Sequence, residues 1–587
     1  MEDESSCCGL WRRVRGRLCH RRRRVAPERT NGKTSRSRES RRRINHPPPA
    51  HYSALSEKVR VSTPAGLQCA LFCGGARCPY ERPAPQSALQ GLYSDWITDD
   101  ILAMARPSTA GIAARNIIQQ FHSWGIRTVI NLQTPGEHAS CGPPLTSSGF
   151  TYDPNIFMAN DIYYYNFAWP DYGEASLSGL LDMAKVLSFA LQEGRVAIHC
   201  HAGLGRTGVL IACYLVYSLR VRANDAIRLV RKKRPRSVQT SGQILCVQQF
   251  EHYLLPQTVV FSSKESLMLT KDKKTAEFTI RQYLYRQRAT LHGLDERAFK
   301  ELPKIIYCIC ERLLKLSGCH QSVGLDFRVK NRPFYKSFLS YRLRQVRAPD
   351  PTTPDELPTD QVPTLPMIEW RDPVEEDIER NLETVSRITG ATCGTIPALH
   401  VYEAFVVDHH SLPEERQKYL KQMRIDINQR REAIEKIDEE NDPAVLSGLL
   451  FEWLEGLKHP VLDREDVTLI VGRGQDVETC IVAMHNEDVI LLEYLLRFVT
   501  RLRPLAANKK VDIIKRLVAS LTHQTVSMNG RCLPTKRDFP RLRDGTASQI
   551  VNFMLRFVVE LQKDMVKPGR DDRDVVVPVR RPIKAWK

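Results

Sequence analysis

The sequence predicts an α/β domain, a central and mainly parallel sheet flanked by helices, over residues 80–257, joined to an all-helical C-terminal unit. Three observations predict it. Short apolar stretches alternate with amphipathic ones between about residues 90 and 255, the pattern of strand–helix units. Beyond Pro256 strand signals fade and helical stripes take over. A glycine-rich loop joins a short apolar strand to a long apolar helix near residue 200.

Within the α/β region, Arg127 to Leu132 reads as a buried strand ended by the Gln-Thr-Pro-Gly turn at 133–136, and Tyr163 to Phe167 as another. Leu177 to Leu191 carries apolar residues at helical spacing, with Gly194 as its stop before the strand Val196 to Ile198. The run Val209 to Leu219 is long enough for a buried helix. In such a fold, chemistry belongs at the C-terminal ends of the strands.

The 587-residue chain is too long for one core, and two or three folded units are expected. Of its net charge of +19, +10 lies in the first 50 residues, which hold 15 Arg and Lys against 5 Asp and Glu. Residues 1–60 read as a disordered basic tail, since Arg-rich runs with few large apolar residues cannot offset chain entropy. Such a tail suits weak contact with an anionic surface, nucleic acid or a nuclear import receptor, against the plainer reading of a solvated charged segment. A helical extension is expected at 265–318 and a Pro-rich linker at 340–372. The helical domain spans 400–565; its clearest helix starts with Asp442 as N-cap and Pro443 at the first position, with Trp453 in its apolar stripe.

Sixteen cysteines accompany an N-terminus whose first apolar stretch is broken by arginines, so reduced thiols in an intracellular, cytoplasmic or nuclear protein are expected. No uncharged apolar run approaches the roughly 18–20 residues needed to cross a bilayer. Cys69, Cys73 and Cys78, with Cys141 or His138 further on, are metal-ligating types, but their spacing fits no standard finger. The expectation is no metal and no cofactor.

The chemistry resides in His199-Cys-His-Ala-Gly-Leu-Gly-Arg-Thr-Gly208. A phosphate ester resists attack because a nucleophile meets clustered negative charge, and a loop that collects amide N–H groups and an arginine removes that obstacle. His201, Ala202, Gly203, Leu204, Gly205 and Arg206 supply such a cradle at a helix N-terminus. The same field favours thiolate at Cys200, the nucleophile. Arg206 grips two phosphate oxygens through its planar fork. Trp169-Pro170-Asp171 brings a carboxylic acid on a preceding loop, and Asp171 is the expected general acid. Thr207 is positioned to donate a hydrogen bond to the sulfur.

These two motifs, His199-Cys200 followed after five residues by Arg206-Thr207, and Trp169-Pro-Asp171, resemble the signature and acid loop of the protein tyrosine phosphatase superfamily. The fuller string from Val196 to Leu215 resembles the dual-specificity branch related to mitotic-exit phosphatases, most closely the protein tyrosine phosphatase domain-containing subfamily. The resemblance covers about residues 80–255. It implies a phosphotyrosine phosphatase-like fold, and hydrolysis of phosphotyrosine and of phosphoserine or phosphothreonine in phosphoprotein substrates through a phosphocysteine. It also implies that Gln239, in Ser-Val-Gln-Thr-Ser-Gly-Gln243, positions the hydrolytic water. Lys330-Asn-Arg332 lies downstream of the cysteine, unlike the corresponding loop of tyrosine-specific enzymes, and is read as coincidence. His201 and Leu204 stand where lipid phosphatases of the superfamily usually carry lysines. The resemblance also points to the nucleus, centrosome or cilium.

Two rival readings compete with this one. Gly203-Leu-Gly-Arg-Thr-Gly208 fits a dinucleotide fingerprint with Asp225 near the ribose-binding distance, but Asp225 follows Ala223-Asn224 at a helix start, not a strand tip. A catalytically weak scaffold that binds phosphoproteins through its helical C-terminal region is the alternative function. A protein partner for that region is expected in either reading, although apolar stripes such as that of Trp453 are read as ordinary core.

Overall fold

The computed structural model describes residues 47–81, 86–262, 278–319, 397–429 and 432–566, apart from 172, 174, 529, 536 and 537. The basic tail up to residue 46, residues 265–277 of the expected extension, the Pro-rich segment at 340–372 and Lys330-Asn-Arg332 lie outside the described residues.

Five strands form one sheet: β1 (Ser94–Trp96), β2 (Ile101–Met104), β3 (Ile126–Asn131), β4 (Tyr163–Asn166) and β5 (Arg195–His199). Their order is β1-β2-β5-β3-β4. Only the edge pair β1 and β2 is antiparallel; β5 runs parallel to β2 and β3, and β3 parallel to β4. A central parallel strand is covered on both faces, so its sequence is apolar throughout rather than alternating. In β5, Val196 and Ile198 face one core and Ala197 the other, and all three are fully buried.

The helix Leu177–Glu193 is capped by Ser176, whose side chain accepts from the Gly179 amide, and lies with Gly205–Leu219, Ala223–Lys233 and Ser241–Gln257 over one face. Ile117–Trp124 covers the other through Ile117 and Phe121. The helix Gly205–Leu219 is buried along almost its entire length, which explains its apolar run. Asp225 sits in the first turn of Ala223–Lys233 and pairs with Arg228 at 2.8 Å, as expected of a helix-start residue.

The N-terminal boundary needs correction. Residues 54–62 form a helix capped by Ser53, with an N-terminal approach docked on the α/β domain: the amides of His51 and Tyr52 donate to the Gln239 carbonyl at 2.8 and 3.3 Å. The composition-based tail therefore extends too far. Arginine density falls after Arg43, and the Tyr52 hydroxyl and Glu57 carboxylate accept from Gln239 and Ser241.

The expected extension and C-terminal domain share one core. Ile305, Ile309 and Leu313 of the helix Lys304–Leu316 pack in one buried cluster with residues of Pro443–Leu454, Asn486–Arg501, Ala507–Thr522 and Asp544–Val566. Asp442 caps its helix as expected, accepting from the Ala444 amide at 2.9 Å. Trp453 is fully buried, edge-on to Tyr283 at 5.1 Å, so it is core rather than a docking groove. The unit is not wholly helical: β6 (Val526–Met528) and β7 (Arg531–Leu533) form a hairpin, for which Asn529-Gly530 was the sequence signal. Among the described residues no helix is long and apolar enough to cross a membrane.

Candidate active site

Each parallel strand sends one functional segment off its C-terminal end: β5 leads into Cys200, β3 into Glu137 and His138, β4 into Trp169 and Asp171, and β2 into Arg106. The sheet gathers groups that are up to 94 residues apart in the chain. This is the arrangement that puts chemistry at the carboxyl edge of an α/β sheet.

The cradle's shape follows from what its carbonyls bind. Arg234, fully buried, donates from Nε to the Gly203 carbonyl at 2.7 Å and from Nη2 to the Ala202 carbonyl at 2.9 Å, and is itself anchored on Asp95 at 2.6 Å. The Arg106 amide takes the His201 carbonyl at 3.0 Å. Because peptide units are planar and trans, each carbonyl turned outward turns the next amide inward. The N–H groups of Ala202, Gly203 and Leu204 therefore face the opposite side, where the phosphate belongs. Gly203 has φ +66, and a Cβ there would stand 1.9 Å from the Met104 carbonyl oxygen, so no other residue fits.

Cys200 is 4% exposed at the base of this loop. Arg206 is 1% exposed. Its Nη1 donates to Glu137 at 2.8 Å, to the Trp169 carbonyl at 2.6 Å and to the Leu132 carbonyl at 3.2 Å, and Nη2 donates to Glu137 at 2.6 Å. Burial disfavours the guanidinium charge, but Asp171 and Glu137 outweigh it and raise the arginine above its ordinary value. Its Nε is buried without a hydrogen-bond partner, 3.3 Å from Asp171 Oδ1. The fork is held by Glu137, and its Nε side is held by an ion pair with Asp171.

Asp171 sits at the rim, its side chain 26% exposed, between Arg206 and His138, whose Nε2 is 3.0 Å from Oδ2. Burial works against its charge, yet Arg206 and the His138 hydrogen bond hold the carboxyl well below the usual carboxylate range. In this arrangement it is an ionised carboxylate where an anionic group would bind.

Other expected residues are placed differently. Thr207 is buried, and its hydroxyl makes no hydrogen bond, so the expected bond to the sulfur is not formed. The His201 ring stacks on His138 at 3.9 Å and lies 3.7 Å from the Cys78 sulfur. Its side chain thus faces a cysteine cluster; only its backbone belongs to the cradle. Leu204 is buried. Gln239 and Gln243 both flank Gly205: a Cβ on that glycine would stand 3.3 Å from the Gln239 oxygen and 2.8 Å from the Gln243 amide nitrogen. Gln239 is also tied to Tyr52 at 3.2 Å.

Sequence reasoning missed Glu137 and Arg234. A carboxylate just after the turn that ends β3 was a usable signal for Glu137; Arg234, one of many arginines, carried none. It also set aside the cysteines around His138, which the fold brings together: Cys69, His138 and Cys141 place one ligand atom each within 4.8 Å of one another. Spacing rules presuppose one contiguous module, and these residues come from two separate segments.

Residues 118–252 match the family model for the dual specificity phosphatase catalytic domain. The α/β domain belongs to the dual-specificity branch of the protein tyrosine phosphatase superfamily. "Protein tyrosine phosphatase domain-containing protein 1" of Danio rerio is 54% identical over 281 residues, 47% of this chain and 38% of the relative. That of Bos taurus is 52% identical over 282 residues, 47% and 34% of the two chains. "Dual specificity protein phosphatase CDC14C" of Symphalangus syndactylus is 35% identical over 118 residues, 20% of this chain and 21% of its own. The match thus spans little more than a third of the length of the first two relatives. The phosphatase domain accounts for the α/β region alone.

One pH dependence follows from this domain. His199 is fully buried, 2.8 Å from the Tyr152 hydroxyl, and burial pushes it from 6.5 down to about 4. Between these values the unfolded chain binds the proton and the folded one does not, so this contribution to stability is complete above 6.5 and declines as pH falls toward 4. Urea unfolding at pH 7.5, 6 and 5 should show the decline, and His199→Gln should flatten it. Equal slopes in the two proteins would refute the assignment.

Proposed function

We propose that this chain is a cysteine-dependent protein phosphatase that hydrolyses phosphotyrosine and phosphoserine or phosphothreonine through a phosphocysteine. The observation that carries this reading is the Arg206 Nε–H, which makes no hydrogen bond and is held only by an ion pair with Asp171 at 3.3 Å, at the mouth of the loop that carries Cys200. A phosphate oxygen in the cradle can replace that carboxylate and take the Nε–H in a charge-assisted hydrogen bond.

In this reading the substrate dianion displaces Asp171 from Arg206. Its negative charge raises the proton affinity of the carboxyl, which loads the acid when substrate is bound. The Cys200 sulfur then attacks phosphorus, the ester P–O bond breaks, and the Asp171 proton goes to the departing oxygen. Water oriented beside Gln239 attacks the phosphocysteine, Asp171 takes its proton, and the P–S bond breaks to return the thiolate. Phosphoproteins inside the cell, in the cytoplasm or nucleus, are the substrates this reading supplies.

The acid assignment has a direct test. Asp171→Ala should lower kcat by roughly 10²-fold or more on alkyl phosphates and phosphopeptides, and much less on a nitrophenyl phosphate, whose leaving group departs without a proton. Equal losses on both classes would remove Asp171 from the role.

A further inference from the structure

Beside the cradle lies a cluster that the phosphatase reaction does not use. Cys69 and Cys73 bound a π-helical turn, Cys78 follows it, and Cys141 comes from the loop after β3. All four are reduced and buried, and they form a cluster of their own with Tyr80 rather than joining an apolar core. The Cys141 thiol is within hydrogen-bond reach of the other three. His138 Nδ1 stands 3.6, 3.8 and 3.9 Å from the sulfurs of Cys69, Cys73 and Cys141.

Two observations separate this from ordinary packing of small thiols. The segment carrying Cys69 and Cys73 has no apolar face to dock: Leu67 and Leu71 are 55% and 65% exposed, and the buried residues of its π-turn are the two cysteines. Modules held by ligands instead of a core are the ones that metals fold. The nitrogen-to-sulfur distances also fit. Zinc bonds of about 2.3 Å to sulfur and 2.0–2.1 Å to nitrogen, at tetrahedral angles, put nitrogen about 3.6 Å from each sulfur. His138 takes a left-handed backbone, φ +53, and Arg106 donates to the carbonyls of His138 and Cys141. The loop is held in an unfavourable conformation that aims this imidazole.

We propose that a zinc ion is bound by the thiolates of Cys69, Cys73 and Cys141 and by Nδ1 of His138. The other ring nitrogen then carries the proton and donates to Asp171 Oδ2, 3.0 Å away. This carboxylate–histidine–metal chain joins the N-terminal segment to the loop bearing Asp171. Cys78, 3.7 Å from His201 Nε2, stays outside the ligand set. The site stands on its own geometry, so its failure leaves the phosphatase reading intact, and the reverse.

The test is metal content. The full chain, purified without chelator under reducing conditions, should carry about one zinc ion by mass spectrometry of the elements. Cys69→Ser and Cys141→Ser should fall to background, and Cys78→Ser should retain zinc. Metal-stripped wild type titrated with cobalt(II) should develop thiolate-to-cobalt charge-transfer bands and intense tetrahedral d–d absorption, which decides the matter even where a variant does not fold. A wild-type chain that holds no zinc and gives no cobalt bands overturns the proposal. So does a disulfide among the four cysteines in the protein as purified, or a Cys78→Ser variant as depleted as Cys141→Ser, which means a four-thiolate site without His138.

Discussion

Arg206→Lys is expected to lower kcat/KM on an aryl phosphate by on the order of 10³-fold or more, the scale of effect seen when a phosphoryl group loses its arginine. Lysine keeps the charge and loses the fork. Two of the Arg206 nitrogens are committed to Glu137 and two carbonyls, while the third faces the place of the anion. A single ammonium cannot both satisfy Glu137 and reach a phosphate oxygen. Steady-state kinetics, with circular dichroism to confirm that the variant is folded, would check this. A folded variant that keeps a tenth of wild-type activity would show that positive charge alone suffices and that the planar geometry is incidental.

Cys200→Ser should lose turnover to background, roughly 10⁵-fold or more, the order expected when a covalent nucleophile is removed. An alcohol at this position keeps its proton, and neither Arg206 nor the loop amides can make it an anion at neutral pH. Binding should survive, because the inward amides of Ala202, Gly203 and Leu204 and the Arg206 Nε–H are untouched. Isothermal titration with phosphotyrosine and phosphothreonine peptides should therefore show complexes that do not turn over, and the peptides retained would report residue preference. Residual turnover within 10²-fold of wild type would exclude the phosphocysteine route.

The fold was legible where local pattern and burial coincide. β3 and β5 read correctly because each has a buried apolar centre, Val129-Ile130 and Val196 to Ile198, and the helix Leu177–Glu193 because Ser176 and Gly194 punctuate it. The cradle was legible for a different reason: Cys200 to Arg206 is one contiguous loop, and its glycines, arginine and flanking strand and helix are all within a short stretch of text. Asp171 followed from its tripeptide. Glu137 and Arg234 did not, because their roles depend on loops from β3 and on a helix end meeting the cradle in space. Arg234 in particular acts on backbone carbonyls, a partner that leaves no mark on the sequence.

By itself the sequence determined an anion-holding loop with a sulfur nucleophile, a parallel sheet to carry it, and a helical unit with its own apolar stripes. Those are properties of neighbouring residues, and local backbone geometry and hydrophobic periodicity suffice to specify them. Tertiary structure alone decided that Glu137 holds the arginine, that Arg234 turns the loop amides inward, that His201 faces away from the phosphate, and that Cys69, Cys73 and Cys141 meet His138 behind the acid. Each depends on which strand ends the sheet order places side by side, and that order is set by packing of the whole domain rather than by any segment of it.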